Sequence, residues 1–175
     1  PAADNKIIAH PYTRLMSANA YIDQGAAFIV TSVAKARALG IAPDRWVYLH
    51  GCADGHDHWH VTERRDLHSS PAMQRVFAQA FDMAGCTLAD IGVLDIYSCF
   101  ASAVEVACEA LGLAQDDPRD LTVTGGLPYF GGPGNNYAMH SVVTMLEKLR
   151  GKPGGWGLCT ANGWYLTKQS TGIYS

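Results

Sequence analysis

Residues 125–136 read GGLPYFGGPGNN, and residues 137–150 read YAMHSVVTMLEKLR. Glycine has no Cβ, so a run this rich in it lets backbone approach a ligand closely or take positive φ. The stretch that follows places Val142, Val143, Leu146 and Leu149 at helical spacing. A glycine-rich loop opening into a helix either meets a ligand or only turns the chain, and Gly131, Gly132, Asn135 and Asn136 are the residues it offers for a site. The two asparagines stand at the helix start. Their side chains there either cap free backbone amides or meet a bound carbonyl.

The rest of the chain falls into place around this loop. Downstream, residues 155–161 and 164–168 read as adjacent strands joined around Asn162-Gly163, a common tight-turn dipeptide. Upstream, residues 91–96 (IGVLDI) read as a strand, 99–111 as a helix closed by Gly112, and 121–124 as a short extended piece. Residues 71–84 predict a helix, with Ser70 as N-cap, Pro71 in the first turn and Gly85 at the end. Residues 46–50 (WVYLH) predict a strand and 51–70 a long polar loop. Residues 25–32 (GAAFIVTS) are short and apolar, as a strand buried on both faces would be, and 33–39 read as a short helix stopped by Gly40. Strands and helices therefore alternate and close on a strand pair. That order predicts an α/β domain with a mostly parallel five-stranded sheet, its last strand antiparallel, and helices on both faces. The domain is expected over residues 25–175, with residues 1–24 as a lead-in.

Composition bounds the function. Apolar residues make up 48% of the 175 and charged residues 17%, the balance of a globular chain with a full core. With 13 basic against 16 acidic residues there is no positive field to hold a phosphate backbone, so no nucleic-acid partner is expected. No apolar run is long enough to span a bilayer, and the first residues lack the charged start and apolar run of a secretory signal. The opening on Pro1 rather than Met predicts a processed or partial product. Five cysteines (Cys52, Cys86, Cys99, Cys108, Cys159) are odd in number and irregular in spacing, which predicts reduced thiols and a cytoplasmic setting.

His56, His58 and His60 alternate in the polar loop. Alternate residues of an extended chain share a face, so their imidazoles could converge on a metal with help from Asp54, Asp57 or Glu63. A solvated loop near a substrate entrance accounts for the same residues, and no metal is expected.

Four stretches together resemble the C-terminal half of the thiolase superfamily. Ile22-Asp23-Gln24-Gly25-Ala26-Ala27 resembles the Asn-Asp-Gly-Ala-Ala run that enters a strand in thiolases. Asp95-Ile96-Tyr97-Ser98-Cys99-Phe100-Ala101 sits where that family has Asn-Glu-Ala-Phe, or His-Asp-Cys-Phe in the sterol-carrier branch. Gly125 to Gly134 is similar to the Gly-Gly…Gly-His-Pro loop. Leu158-Cys159-Thr160-Ala161-Asn162-Gly163 is similar to the last Cys-x-Gly-Gly-Gly turn. The GGPGNN loop is most similar to an actinobacterial-type branch of acetyl-CoA acetyltransferases.

The resemblance implies an acyltransferase acting on coenzyme A thioesters in lipid metabolism, with no tightly bound cofactor. It implies a nucleophilic cysteine in an N-terminal half that this chain lacks. That half and acyl-CoA are the expected partners, with homodimers in the full protein. Cys159 matches the cysteine that moves the α-carbon proton; its plain alternative is a small buried hydrophobe. Gly132 stands where the family has a histidine, and a glycine side chain moves no proton. His140, the nearest histidine in sequence, is a candidate replacement, although eight helical residues span about 12 Å. Tyr97 holds the oxyanion-assisting position, where a hydroxyl can donate to a developing negative charge. Gly163 joins the substrate-binding set. Two function classes follow. One is an acyltransferase, or a retro-aldolase using Tyr97, that is active only with the other half. The other is a non-catalytic acyl-CoA-binding or scaffold protein.

Overall fold

The computed structural model describes residues 4–175. Its main sheet has four strands: β3 (Leu49–His56), β4 (Ile91–Asp95), β5 (Trp156–Gly163) and β6 (Lys168–Tyr174), in the spatial order β3-β6-β5-β4. Ahead of it lie a small hairpin, β1 (Ile7–Ala9) with β2 (Tyr12–Thr13), and the helix α1 (Val33–Ala38). β4 and β5 are parallel, whereas β6 is antiparallel to both β5 and β3. Three strands thus run one way and the last runs against them, as the order of elements predicts. Because β6 inserts between β3 and β5, two of the three ladders are nevertheless antiparallel.

The strand count is four, not five. Residues 25–32 form no ladder, and Ile29 and Val30 stand 84% and 82% exposed. An apolar run becomes a strand only when a neighbour takes its backbone groups, and among the described residues none does. Residues 121–124 come closest to a fifth position. Ile96 N–H donates to Leu121 O at 2.8 Å, but the next amides, Val123 and Thr124, are taken by the Asp95 carboxylate rather than by a strand.

Helices cover both faces. α2 (Pro71–Ala84) lies under β3 and β6, and α3 (Ala101–Leu111) packs along α2. Their apolar stripes meet Leu94, Leu158 and Ile173 from the sheet. Past the short α4 (Leu127–Phe130), α5 (Tyr137–Arg150) covers the opposite face, where Met145 and Leu149 pack on Cys159. The alternation of Leu158 and Cys159 between the two cores is the period of two of a buried strand. α2 starts and stops on the expected residues: the Ser70 hydroxyl accepts Met73 N–H at 3.2 Å, and Gly85 closes the helix at φ 66°. Gly157 lets α5 approach the sheet, because a Cβ there would run into the Met145 sulfur.

The last hairpin turns later than expected. Asn162 and Gly163 still pair with Gln169 and Lys168, and the chain reverses through residues 164–167, with Trp164 and Leu166 at φ 57° and 54°. Those are unfavourable angles for large side chains, and they are held from outside. Arg64 donates to Tyr165 O and, at 2.8 Å, to Thr167 Oγ1, while Gln169 Nε2 reaches Leu166 O at 2.7 Å.

Candidate functional site

In open α/β sheets the carboxyl ends of parallel strands are where sites form. Here those ends belong to β3, β4 and β5. Together with the start of α5 they enclose a cavity of about 310 Å3. That lies at the small end of the usual range for small-molecule pockets, roughly 300–1,000 Å3. β4 delivers Tyr97 just past its end, β5 delivers Asn162 and Gly163, and the turn before α5 delivers Asn135. β3 and β6 add a polar wall, because their register sets Asp54 opposite Ser170 and His56 opposite Lys168.

Tyr97 is held through its backbone and its ring. Its N–H donates to Thr160 Oγ1 at 2.9 Å, and its ring meets Tyr137 edge-on at 5.4 Å. Burial, with a smaller push from the nearby Cys99, raises its pKa above the ordinary tyrosine value. It is therefore a phenol at neutral pH, able to donate a hydrogen bond. Cys99 Sγ lies 3.8 Å from Asn162 Oδ1, and burial pushes its thiol up as well.

Beneath Tyr97 lies Asp95, 0% exposed. Its carboxylate accepts Val123 N–H at 3.0 Å, Thr124 N–H at 3.3 Å and the Tyr137 hydroxyl at 3.2 Å. The Tyr137 and Thr124 hydroxyls are 2.6 Å apart, and Thr124 Oγ1 accepts Gly126 N–H at 3.0 Å. Leu127 N–H donates to Ser98 Oγ at 3.1 Å. The glycine-rich loop is thereby tied to the end of β4. Residues 17–24 brace it from the other side: Asn19 O accepts Gly132 N–H at 2.7 Å, and Gln24 Nε2 donates to Phe130 O at 2.8 Å.

The sequence-derived candidates separate into two groups. Tyr97, Asn135 and Gly163 share the cavity. Gly131, Gly132, Asn136, His140 and Cys159 are not in its lining. Gly131 is at φ 116°, a conformation reserved for glycine, and a Cβ on Gly132 would sit 3.3 Å from Ala18 Cβ and Leu127 Cδ2. Any side chain at 132 would have to push those neighbours aside. His140 packs edge-on against Phe130 at 5.3 Å, with its Nε2 3.4 Å from Asn136 Nδ2. Cys159 is 5% exposed within β5, and burial pushes its thiol far above the ordinary range, with the Asp95 charge adding to the effect. Lys168 and Ser170 also line the cavity and escape a reading of the sequence; Asp54 and His56, expected as metal ligands or as a loop near a substrate entrance, and Asn162, expected in the turn, line it too. The period of two in CADGH (52–56), small residues against polar ones, was the available signal. Among the described residues no group of three His, Cys, Asp or Glu converges to hold a metal. No helix among them is long and apolar enough to cross a membrane.

Comparison with known proteins places this geometry. Residues 53–132 match the family described as Thiolase C-terminal domain-like. The chain is 28% identical over 175 residues to a 3-ketoacyl-CoA thiolase of Erwinia tasmaniensis, and 30% identical over 176 residues to one of Salmonella heidelberg. Each match covers 92% of this chain and 38% of the relative. The structure also matches a monomeric SCP2-thiolase like protein type 1 from Mycobacterium smegmatis, with a TM-score of 0.88 and 43% identity, over 100% of this chain and 38% of that one. The chain thus spans 38% of the length of these relatives.

Proposed function

We infer, from a chain with the thiolase-superfamily fold, that it forms the C-terminal half of an acyl-CoA acyltransferase of acetyl-CoA acetyltransferase type. The whole protein would make or break the carbon–carbon bond beside a coenzyme A thioester, in the cytoplasm. Residues 25–175 would be the domain proper, and the nucleophilic cysteine would come from an N-terminal partner half.

The observation that carries this reading is the convergence of Tyr97, Asn135 and Asn162 on one cavity at the strand ends. Chemistry next to a thioester builds negative charge on the carbonyl oxygen, and fixed donors aimed at that oxygen lower the barrier. Tyr97 stays protonated, its backbone tied to Thr160 and its ring packed edge-on against Tyr137. The asparagine amides are further donors. Cys159 is the residue at the family's proton-transfer position. To act, it must be reached from its core position between β5 and α5.

A second reading, acyl-CoA binding without turnover, is favoured by the missing imidazole at Gly132 and by the burial of Cys159. Acetoacetyl-CoA thiolysis by the full-length protein, measured beside its binding of the same compound, separates the two. Turnover that falls about a hundredfold or more in Tyr97→Phe, the scale of one lost oxyanion donor, supports the enzyme. Tight binding with no turnover gives the second reading. Neither binding nor turnover refutes both. The 175-residue chain alone is expected to be inactive.

A further inference from the structure

The wall that β3 and β6 give the cavity at the strand ends is built in two levels. Asp54 on β3 lies opposite Ser170 on β6, which lies opposite Ala161 on β5. His56, Lys168 and Gly163 form the next level. Residues two apart on a strand share a face, so all six stand on one side of the sheet. Charged and hydrogen-bonding groups come from β3 and β6, whereas the floor on β5 is only a methyl group and a hydrogen. The bare position at Gly163 is used: a Cβ there would lie 2.8 Å from Lys168 Cε and 3.6 Å from its Nζ. The lysine stem therefore runs back across β5, and its ammonium stands one strand spacing, ~5 Å, from β4, the strand that delivers Tyr97.

Asp54 and Lys168 leave each other unpaired. The register makes them diagonal neighbours on adjacent strands, roughly 7–8 Å apart at Cα. Both are exposed, and neither forms an ion pair among the described residues. One carboxylate against one ammonium leaves no excess charge, so the pair suits a neutral group set between them. The lining also lacks hydrocarbon: its only aliphatic residues are Ala138 and Ala161. A fatty acyl chain would find two methyl groups and would cover both charges without satisfying either, which is costly. A hydroxyl satisfies both, because it donates one hydrogen bond and accepts others. Asp54 accepts from it, and Lys168 donates to its oxygen.

We propose that the acyl group taken here is short and carries a hydroxyl near its γ-carbon, with Asp54 and Lys168 as the residues that select it. The reach of Lys168 over β5 sets that position, a few bonds from a carbonyl held at Tyr97. The proposal rests on the acyl-CoA reading above and names the substrate class within it.

Calorimetric titration of the full-length protein with 4-hydroxybutyryl-CoA and with butyryl-CoA tests it. The hydroxylated compound should bind about tenfold tighter or more, the scale of a hydrogen bond to a charged group. Octanoyl-CoA should bind no tighter than butyryl-CoA. In Asp54→Ala and in Lys168→Met the preference should fall to about threefold or less. Both side chains are exposed, so the variants should keep the native circular dichroism spectrum. Equal affinities for the two four-carbon thioesters, or a preference that survives in both variants, overturn the proposal and leave the acyl-CoA reading standing. Tighter binding of succinyl-CoA than of 4-hydroxybutyryl-CoA does the same, because Lys168 would then read an anion without Asp54. Failure of every acyl-CoA to bind removes that reading and this proposal with it. Because the titration reads no turnover, a protein without thiolysis still decides it.

Discussion

Replacing Tyr137 by Phe removes one oxygen from the centre of the molecule and leaves the ring in place. The ring's edge-on contacts with Tyr97 at 5.4 Å and Phe130 at 6.1 Å persist, so no cavity opens. What is lost is the hydroxyl that donates to buried Asp95 at 3.2 Å and meets Thr124 Oγ1 at 2.6 Å. A hydrogen bond to a charged group contributes about 1.5–3 kcal/mol, and an ordinary one about 0.5–1.5 kcal/mol. With Asp95 ionised, the combined cost is thus about 2–4 kcal/mol, a large share of the stability of a single domain. The pH dependence carries the sharper signature. Burial holds the Asp95 carboxyl above the ordinary carboxylate range, against the opposing pull of its hydrogen-bond donors. An acid raised in this way contributes its stability below its unfolded pKa and loses it as pH climbs through the folded pKa. The Tyr137→Phe change would remove one donor that favours the charged form, so that loss should extend to higher pH. Toward acid, where Asp95 is protonated in both proteins, the difference should shrink to the value of ordinary hydrogen bonds, about 1 kcal/mol. Urea denaturation across the pH range in which both proteins stay folded gives the numbers. A difference that is the same at every pH, or below about 0.5 kcal/mol at pH 7, would refute the buried-carboxylate account.

Three further outcomes follow from the packing. Gly157→Ala should cost about 1–3 kcal/mol, read as a lower Tm, because its Cβ displaces the fully buried Met145. Thiol labelling of the native protein should reach exposed Cys52 first, while Cys159 labels only with global unfolding; early labelling of Cys159 would mean that β5 and α5 part readily. Arg64→Ala should release the turn at residues 164–167, seen as faster amide exchange there and a loss of about 1–3 kcal/mol. Unchanged exchange would mean that the turn holds itself.

Local chemistry made the helices legible. Ser70, Pro71 and Gly85 bound α2 because caps are written in a few adjacent residues. The strands were less legible because pairing is not local. Residues 25–32 have the composition of a strand and no neighbour among the described residues to complete one. β3 runs to His56, six residues past the expected end, because Gly51 and Gly55 read as loop although they are what the close approach of α2 requires. The late turn is set by Arg64, which is remote from it in sequence. The same distinction divides the site. Tyr97 and Asn135 were visible through motif position. His56 and Lys168 are brought together only through the β3–β6 register, which no short window contains.

The bare stretch before α1 has a consequence for the chain's life in a cell. Residues 26–32, AAFIVTS, hold no charge, no proline and no glycine, and Ile29 and Val30 face water. Such a segment is the usual seed of cross-β stacking. A polypeptide that leaves it uncovered depends on prompt shielding, by neighbouring sequence or by a chaperone, to stay out of inclusion bodies. Solubility of this region is then set less by its charged surface than by how soon after synthesis that one ribbon is hidden.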